Sequence, residues 1–234
     1  MPVNKLFRSW IEYSVELLYG NDGSVAAPNK NNFYGTICNG NITDTSSKAA
    51  VIATEITSDS YARFNATIGA DSAYDATNKR FAMPVINWNA QFNEAIQFNC
   101  AVIISGAKNM ANKPVIVTPG TPTIFTTADP HQLAQGEEVV ITADLSGALP
   151  NSLDSSTIYY VSSVVSSTQF RICTNPLQPS EVALTSSGTN LRLRYAKGRL
   201  VGFRLEDAVE SVLANQPVSW SFGLVGSAYS GVGE

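Results

Sequence analysis

Between Phe33 and Leu224 the chain is broken into short runs of β-branched and aromatic residues, each closed by Gly, Pro, Asn, Asp or Ser. FYGTICN, AAVIATEIT, SYARFNATI, RFAMPVINW and IQFNCAVIIS come first, separated by NGN, a Ser-Asp pair, the loop from Gly69 to Lys79 and NAQFN. The sharpest run is QPVSWSFGL, where Val218, Trp220, Phe222 and Leu224 alternate with Ser219, Ser221 and Gly223. A period of two sets one face of a strand on a core and the other in solvent. Short runs with turn signals at even spacing predict an all-β chain, a sandwich or jelly roll rather than βαβ units.

At Lys113-Pro114 the composition shifts. VIVTPGTPTIFTTADPHQL is rich in Pro and Thr, and EEVVITA, TIYYVSSVV, TQFRICT, EVALTS and TNLRLRY follow as further short strands. From Arg199 the pattern of the first part returns with RLVGFRL and QPVSWSFGL, and EDAVESVLAN between them reads as a short helix or a polar connection. The last strands have no partners of their own, while the first part stops on the strong run Ile96 to Ser105. The expectation is a split β-sandwich, jelly-roll-like, made of 1–113 and 197–234, with a small β-domain, 114–196, inserted into it.

One helix is expected, over 4–19, with Asn4 as N-cap and Gly20 followed by Asn21-Asp22-Gly23 as the stop. Leu6, Trp10, Tyr13 and Leu17 form one apolar stripe, and Phe7, Ile11, Val15 and Leu18 a second beside it. That face is wider than one sheet contact requires. It either packs on the protein's own sheet or serves as a subunit interface, and Leu6, Phe7, Trp10, Ile11, Tyr13 and Leu17 are the candidate interface residues.

Charge narrows the function. Of the 234 residues 15% are charged and the net charge is −4, against roughly 25% charged in ordinary soluble domains. A nucleic-acid groove needs clustered Lys and Arg. The densest basic stretch, Arg192, Arg194, Lys197, Arg199 and Arg204, reads instead as solvated strand faces and edge protection. Cys38, Cys100 and Cys173 lie far apart in apolar runs without metal-ligand spacing, as buried thiols of a reducing cytoplasm would. The first residues lack a signal-peptide core and no apolar run is long enough to span a membrane. Neither membrane nor cofactor is expected.

The residues that do catalytic work elsewhere are isolated here. His131, the one histidine, lies in a Pro-containing turn with neither nucleophile nor orienting partner in view. Asp71 and Asp75 flank Tyr74 in a loop, Glu137 and Glu138 open a strand on opposite faces, and Glu206 and Glu210 stand one helical turn apart. Each reads first as a surface charge, and no enzyme is expected. Tyr74, Tyr159 or Tyr229 can stack on sugars, and in Tyr159-Tyr160 the alternation buries one ring and exposes the other.

The inserted module carries a pattern. Asp129-Pro130-His131-Gln132-Leu133 and Gly136-Glu137-Glu138-Val139 resemble the "HGL…GD.V" stretch of small β-modules in phage tail and virion proteins. Leu149-Pro150, Thr157 to Val161, Phe170-Arg171-Ile172 and Gly188-Thr189 match its sequel. Gln132 stands where glycine is usual and Glu137 where an Asp- or Asn-like turn residue is usual. In the flanking domain, Glu55-Ile56-Thr57, Ser60-Tyr61-Ala62-Arg63 and Ile86-Asn87-Trp88 resemble the "E…YAR…W" series of phage virion β-domains. Together the two resemble the decoration, or cement, proteins of tailed phages. That resemblance implies a viral structural protein on the capsid surface, assembled in the host cytoplasm, a homo-oligomer (a trimer) contacting the major capsid protein or neighbouring virion proteins. A tail or baseplate component with a receptor- or glycan-binding module is the alternative, and a polysaccharide-cleaving enzyme stands third.

Overall fold

The computed structural model describes residues 3–6, 8, 33–58, 60–65, 73–75, 80–82, 86–222 and 225–227. The described residues are mostly strand with almost no helix, an all-β fold. In order its elements are β1 (Val3–Leu6), β2 (Phe33–Cys38), helix α1 (Lys48–Ala53), β3 (Phe64–Asn65), β4 (Ala73–Asp75), β5 (Arg80–Ala82), β6 (Ile86–Gln91), β7 (Ile96–Ser105) and β8 (Asn112–Thr118). There follow β9 (Ile124–Thr127), β10 (Glu138–Ala148), β11 (Tyr159–Val164), β12 (Gln169–Cys173), β13 (Thr189–Tyr195), β14 (Arg199–Val212), β15 (Pro217–Phe222) and β16 (Val225–Ser227).

Two compact units share the chain. The first comprises Met1–Ser46, Ser60–Asn109 and Gly198–Glu234, the second Ser47–Asp59 and Met110–Lys197. The first holds a five-stranded sheet in the order β1-β14-β7-β2-β3, a two-stranded ribbon β15-β6 and a three-stranded sheet β16-β5-β4. Its centre is β7, whose residues from Cys100 to Ile104 are fully buried between β2 and β14. A strand buried on both faces reads as a continuous apolar run, and CAVII is one. At the sheet's far side the Tyr61 hydroxyl accepts from the Ile37 backbone N–H (3.0 Å) and hydrogen-bonds the Thr36 hydroxyl (2.6 Å). A buried side chain thus satisfies an edge that β3, two residues long, does not cover.

β7 and β14 are antiparallel neighbours, Ser105 opposite Arg199, and Met110–Lys197 occupies the chain between them. Both exits turn through glycine: Gly106 has φ +70° and Gly198 φ +113°. A methyl on Gly198 would overlap the Ser105 carbonyl oxygen, so only glycine meets both the angle and the space.

The second unit is a closed barrel, β10-β11-β12-β9-β8-β13 around the ring and back to β10, so none of its strands is an edge. Val115, Val117, Phe125, Val139, Ile141, Val161, Phe170, Ile172, Leu191 and Leu193 fill it from alternate strand positions, with Phe125 and Phe170 stacked at 5.5 Å. α1 packs against β10 and β13. Ser47 caps it by accepting from the Ala50 N–H, and Ala49, Val51 and Ile52 are its buried face.

Several expectations need correction. Asn4 is no helix cap: it lies in β1, opposite Arg204 of β14. Arg8 is helical and exposed, and the remainder of the helix expected over 4–19 falls outside the described residues. AAVIATEIT is α1 with its following turn rather than a strand, because Ser47 supplies a cap and the small apolar residues suit a single helical turn. Ser47–Asp59 belongs to the barrel unit rather than to the first domain. EVALTS forms no strand and joins the ladders only through isolated bridges at Glu181 and Leu184. EDAVESVLAN is mostly strand: β14 continues through it to Val212, interrupted by a bulge between Leu205 and Glu210, and a turn follows at Ala214-Asn215.

Candidate functional site

Of the expected interface stripe, Leu6 lies in β1, in register with Gly202; Phe7, Trp10, Ile11, Tyr13 and Leu17 fall outside the described residues. The residues with chemical potential elsewhere are mostly committed to the fold. His131 is 1% exposed. Its Nδ1 accepts from the Leu133 N–H (2.9 Å), and Nε2 lies 3.0 Å from the Ser166 carbonyl oxygen, a pairing that requires N–H at Nε2. The ring also meets Phe170 edge-on at 5.2 Å. Above it, Tyr195 Oη donates to the His131 carbonyl (2.7 Å), and burial pushes the Tyr195 phenol up from its ordinary value. His131 therefore knots three segments of the barrel together through both ring nitrogens and its own backbone.

The basic stretch is solvated only in part: Lys197 and Arg199 are exposed as expected, whereas Arg192 and Arg204 are half-buried and Arg194 is buried, which corrects the expectation for those three. Arg194, 3% exposed, donates from Nε to Thr142 Oγ1 (2.8 Å) and from a terminal nitrogen to the Glu55 carbonyl. Asn112 Nδ2 reaches the Ile56 carbonyl (3.1 Å). These bonds fasten the 47–59 segment to the barrel. Arg192 pairs with Asp144 (2.9 Å), Lys197 with Glu137 (3.1 Å) and Arg204 with Glu206 (2.9 Å).

The acids are scattered by the fold. Asp75 stands opposite Arg80 in the β4–β5 ladder, and Asp71 falls outside the described residues. Glu206 and Glu210 lie on an extended strand and its bulge, so the helical one-turn spacing does not apply. Glu137 and Glu138 take different partners: Glu137 accepts from Lys197 and the Ala134 N–H, Glu138 from Lys48. Glu137 precedes β10, after a left-handed turn at Gly136 (φ +82°), so strand alternation does not govern it. Both glutamates line one shallow hollow of about 470 Å³ with Gly136, Tyr160 and Lys197, and Lys48 pairs with Glu138. Tyr159 is the buried ring, its hydroxyl accepting from the Asp154 N–H (2.9 Å), while Tyr160 is half-buried at the hollow. Among the described residues no group of three or more His, Cys, Asp or Glu is placed to hold a metal.

What the sequence did not single out is Leu145, which is fully exposed. It sits in an excursion of β10 between Ala143, opposite Leu191, and Ala148, opposite Thr189. The excursion is pinned by the Asp144–Arg192 pair, by Asn190 Nδ2 donating to Ser146 Oγ (2.9 Å), and by the Ala148 N–H donating to Thr189 Oγ1 (3.0 Å). Leu177, also highly exposed, rides the loop after β12, where an Asn175 side-chain turn holds its N–H (2.9 Å). No local signal marked Leu145: it continues the alternation of Val139, Ile141 and Ala143, which would place it inward, and only the register shift between Ala143 and Ala148 turns it out.

All three cysteines are buried thiols. Burial, then the Glu206 carboxylate, pushes Cys100 up to about 12, and burial raises Cys173. Far apart in sequence, Cys38 and Cys100 face each other across the β2–β7 ladder.

No family model, no curated protein and no solved structure matches this chain.

Proposed function

We propose that the protein is a structural component of a tailed-phage virion, a decoration protein that bridges and stabilises capsomers from the capsid surface as a homo-oligomer, with the first unit a jelly-roll-like sandwich. The observation that supports this most is what the phage-module pattern does in the barrel. Leu133, Val139, Tyr159, Val161, Phe170 and Ile172 are core, His131 is the knot between segments, and Gly136 and Gly188 turn through positive φ. Gln132, where the pattern has glycine, also has positive φ, +52°. Pattern positions spent on framework fit a scaffold module that presents surfaces rather than one built around a reacting group. Leu145 and Leu177 are exposed singly, as an ordinary surface tolerates; in the decoration reading a neighbouring subunit covers them. A subunit seated between capsomers through standard interfaces of ~1,600 Å² each gains strength from repetition over the shell.

A tail or baseplate position is the second reading, favoured by the half-buried Tyr160 beside a polar hollow, an arrangement able to stack a sugar ring. Copy number in purified virions separates the two. A stoichiometry comparable to the major capsid protein supports decoration, and a handful of copies per particle overturns it. In the decoration reading, Leu145→Ser leaves the isolated protein's stability within ~0.5 kcal/mol while lowering its occupancy on capsids in a sedimentation assay.

A further inference from the structure

We infer that Cys38 and Cys100 form a site for a reversible cross-strand disulfide, closed when the folded protein meets an oxidising medium.

The two residues are in register on β2 and β7, antiparallel neighbours in the central sheet. Residues so paired project to the same face. Their Cα atoms stand ~5.5 Å apart if hydrogen-bonded to each other and ~4.5 Å apart if not. Both values fall inside the ~4.4–6.8 Å window of disulfides. The Cβ atoms of such pairs lie ~4.5–5.5 Å apart, at or beyond the upper edge of the ~3.5–4.5 Å that a disulfide spans. Closure therefore draws the strands slightly together, and a bond formed under tension is the readily reduced kind. The sheet allows that movement on one side: β7 is held by β14 along its length, whereas among the described residues β2 has beyond it the two residues of β3 and the Tyr61 hydroxyl. Cys173 lies in the other unit and faces Tyr160 in its ladder.

Both thiols are fully buried, so reaction awaits an opening of β2, which sets its rate and not its partner. The oxidant is a low-molecular-weight disulfide. A Cys38 thiolate attacks one of its sulfurs, forming a mixed disulfide and releasing one small thiol. Cys100 then gives up its proton to solvent, attacks the Cys38 sulfur and expels the second small thiol. The two protein thiols lose two electrons and two protons, and the small disulfide gains both as two thiols. None of this requires the virion reading, although release of a particle from a reducing cytoplasm would supply such a change of medium.

The test uses the full chain in buffers of oxidised and reduced glutathione, once in the native state and once during refolding from urea. Remaining thiols are blocked with N-ethylmaleimide, and peptides are mapped by mass spectrometry without reduction. The expected product joins Cys38 to Cys100, exceeds either pairing with Cys173 by at least tenfold, and reverts in excess reduced glutathione. Its denaturation midpoint, read by tryptophan fluorescence, is higher than that of the reduced protein, and Cys38→Ser and Cys100→Ser each abolish both the product and the shift. Three pairings in comparable yield, or mixed glutathione disulfides alone after refolding, overturn the inference.

Discussion

The barrel and the five-stranded sheet solve the same problem by opposite means. Every strand of the barrel has two neighbours, and all but the two ladders made by β13 join strands of one continuous stretch, Asn112 to Cys173. The sheet orders β1 and β14 beside β7 and β2, so strands from distant parts of the chain meet in it, and its far edge is finished by one tyrosine hydroxyl. Closure removes edges by topology; an open sheet must satisfy its edge with particular side chains. The two regions therefore differ in what damages them: loss of packing in the barrel, loss of single backbone or edge features in the sheet.

This contrast can be broken by experiment, because Trp10, Trp88 and Trp220 all fall in the first unit and none in the second. Tryptophan fluorescence thus reports the sheet unit and far-UV dichroism both. The largest effect is expected from Phe170→Ala, which removes a fully buried ring stacked on Phe125 and touching His131. A loss of ~3–5 kcal/mol should appear in dichroism and leave the tryptophan transition in place; a shared shift would mean that the units unfold as one. Next comes Gly198→Ala, with a strained angle and a methyl against the Ser105 carbonyl, expected to cost ~3 kcal/mol. Here it is the tryptophan transition that should move.

Tyr61→Phe removes only the oxygen that finishes the sheet edge, leaving the Ile37 N–H without that acceptor, and ~1–2 kcal/mol should be lost from the same transition. Alkaline pH gives a graded version. The Cys100 value of about 12 stands above the ordinary 9.0, so its neutral thiol is favoured in the folded state. The stability it contributes is complete below pH ~9 and is lost as pH rises toward ~12. Cys100→Ala should flatten that part of the sheet unit's pH profile. The smallest effect, and the only gain, is expected from Gln132→Gly in the barrel: relief of a left-handed residue is worth up to ~1 kcal/mol, measured as a raised barrel midpoint. A loss there would mean that Gln132 holds its turn by its side chain.

How far the residues announced these features depends on the distance over which each is decided. IQFNCAVIIS and TNLRLRY are legible as strands because β-branched content and flanking turns act locally, and both coincide with β7 and β13. The stretch AAVIATEIT is not, since small apolar residues suit a helical turn as well as a strand and only docking on β10 and β13 decides between them. EVALTS has strand composition but lacks a neighbour with a free edge beyond its two bridges. His131 was legible as a turn residue, and its role as a hydrogen-bond knot was not, because Ser166 and Tyr195 come from distant parts of the chain. Arg194 misled for the same reason: it alternates like a surface residue, yet a segment far before it in the chain covers it.

The order of side chains by itself determined that this chain would be β-rich, that a module with its own turn chemistry begins near Pro114, and that the strand pattern of the first part resumes at Arg199. Those follow from short-range preferences that each residue carries with it. Only the tertiary structure decided that the module closes into a barrel, that Ser47–Asp59 joins it, that Arg194 is buried and hydrogen-bonded, and that Cys38 meets Cys100. Register and closure depend on which edges find each other across the whole chain, and no local pattern encodes that.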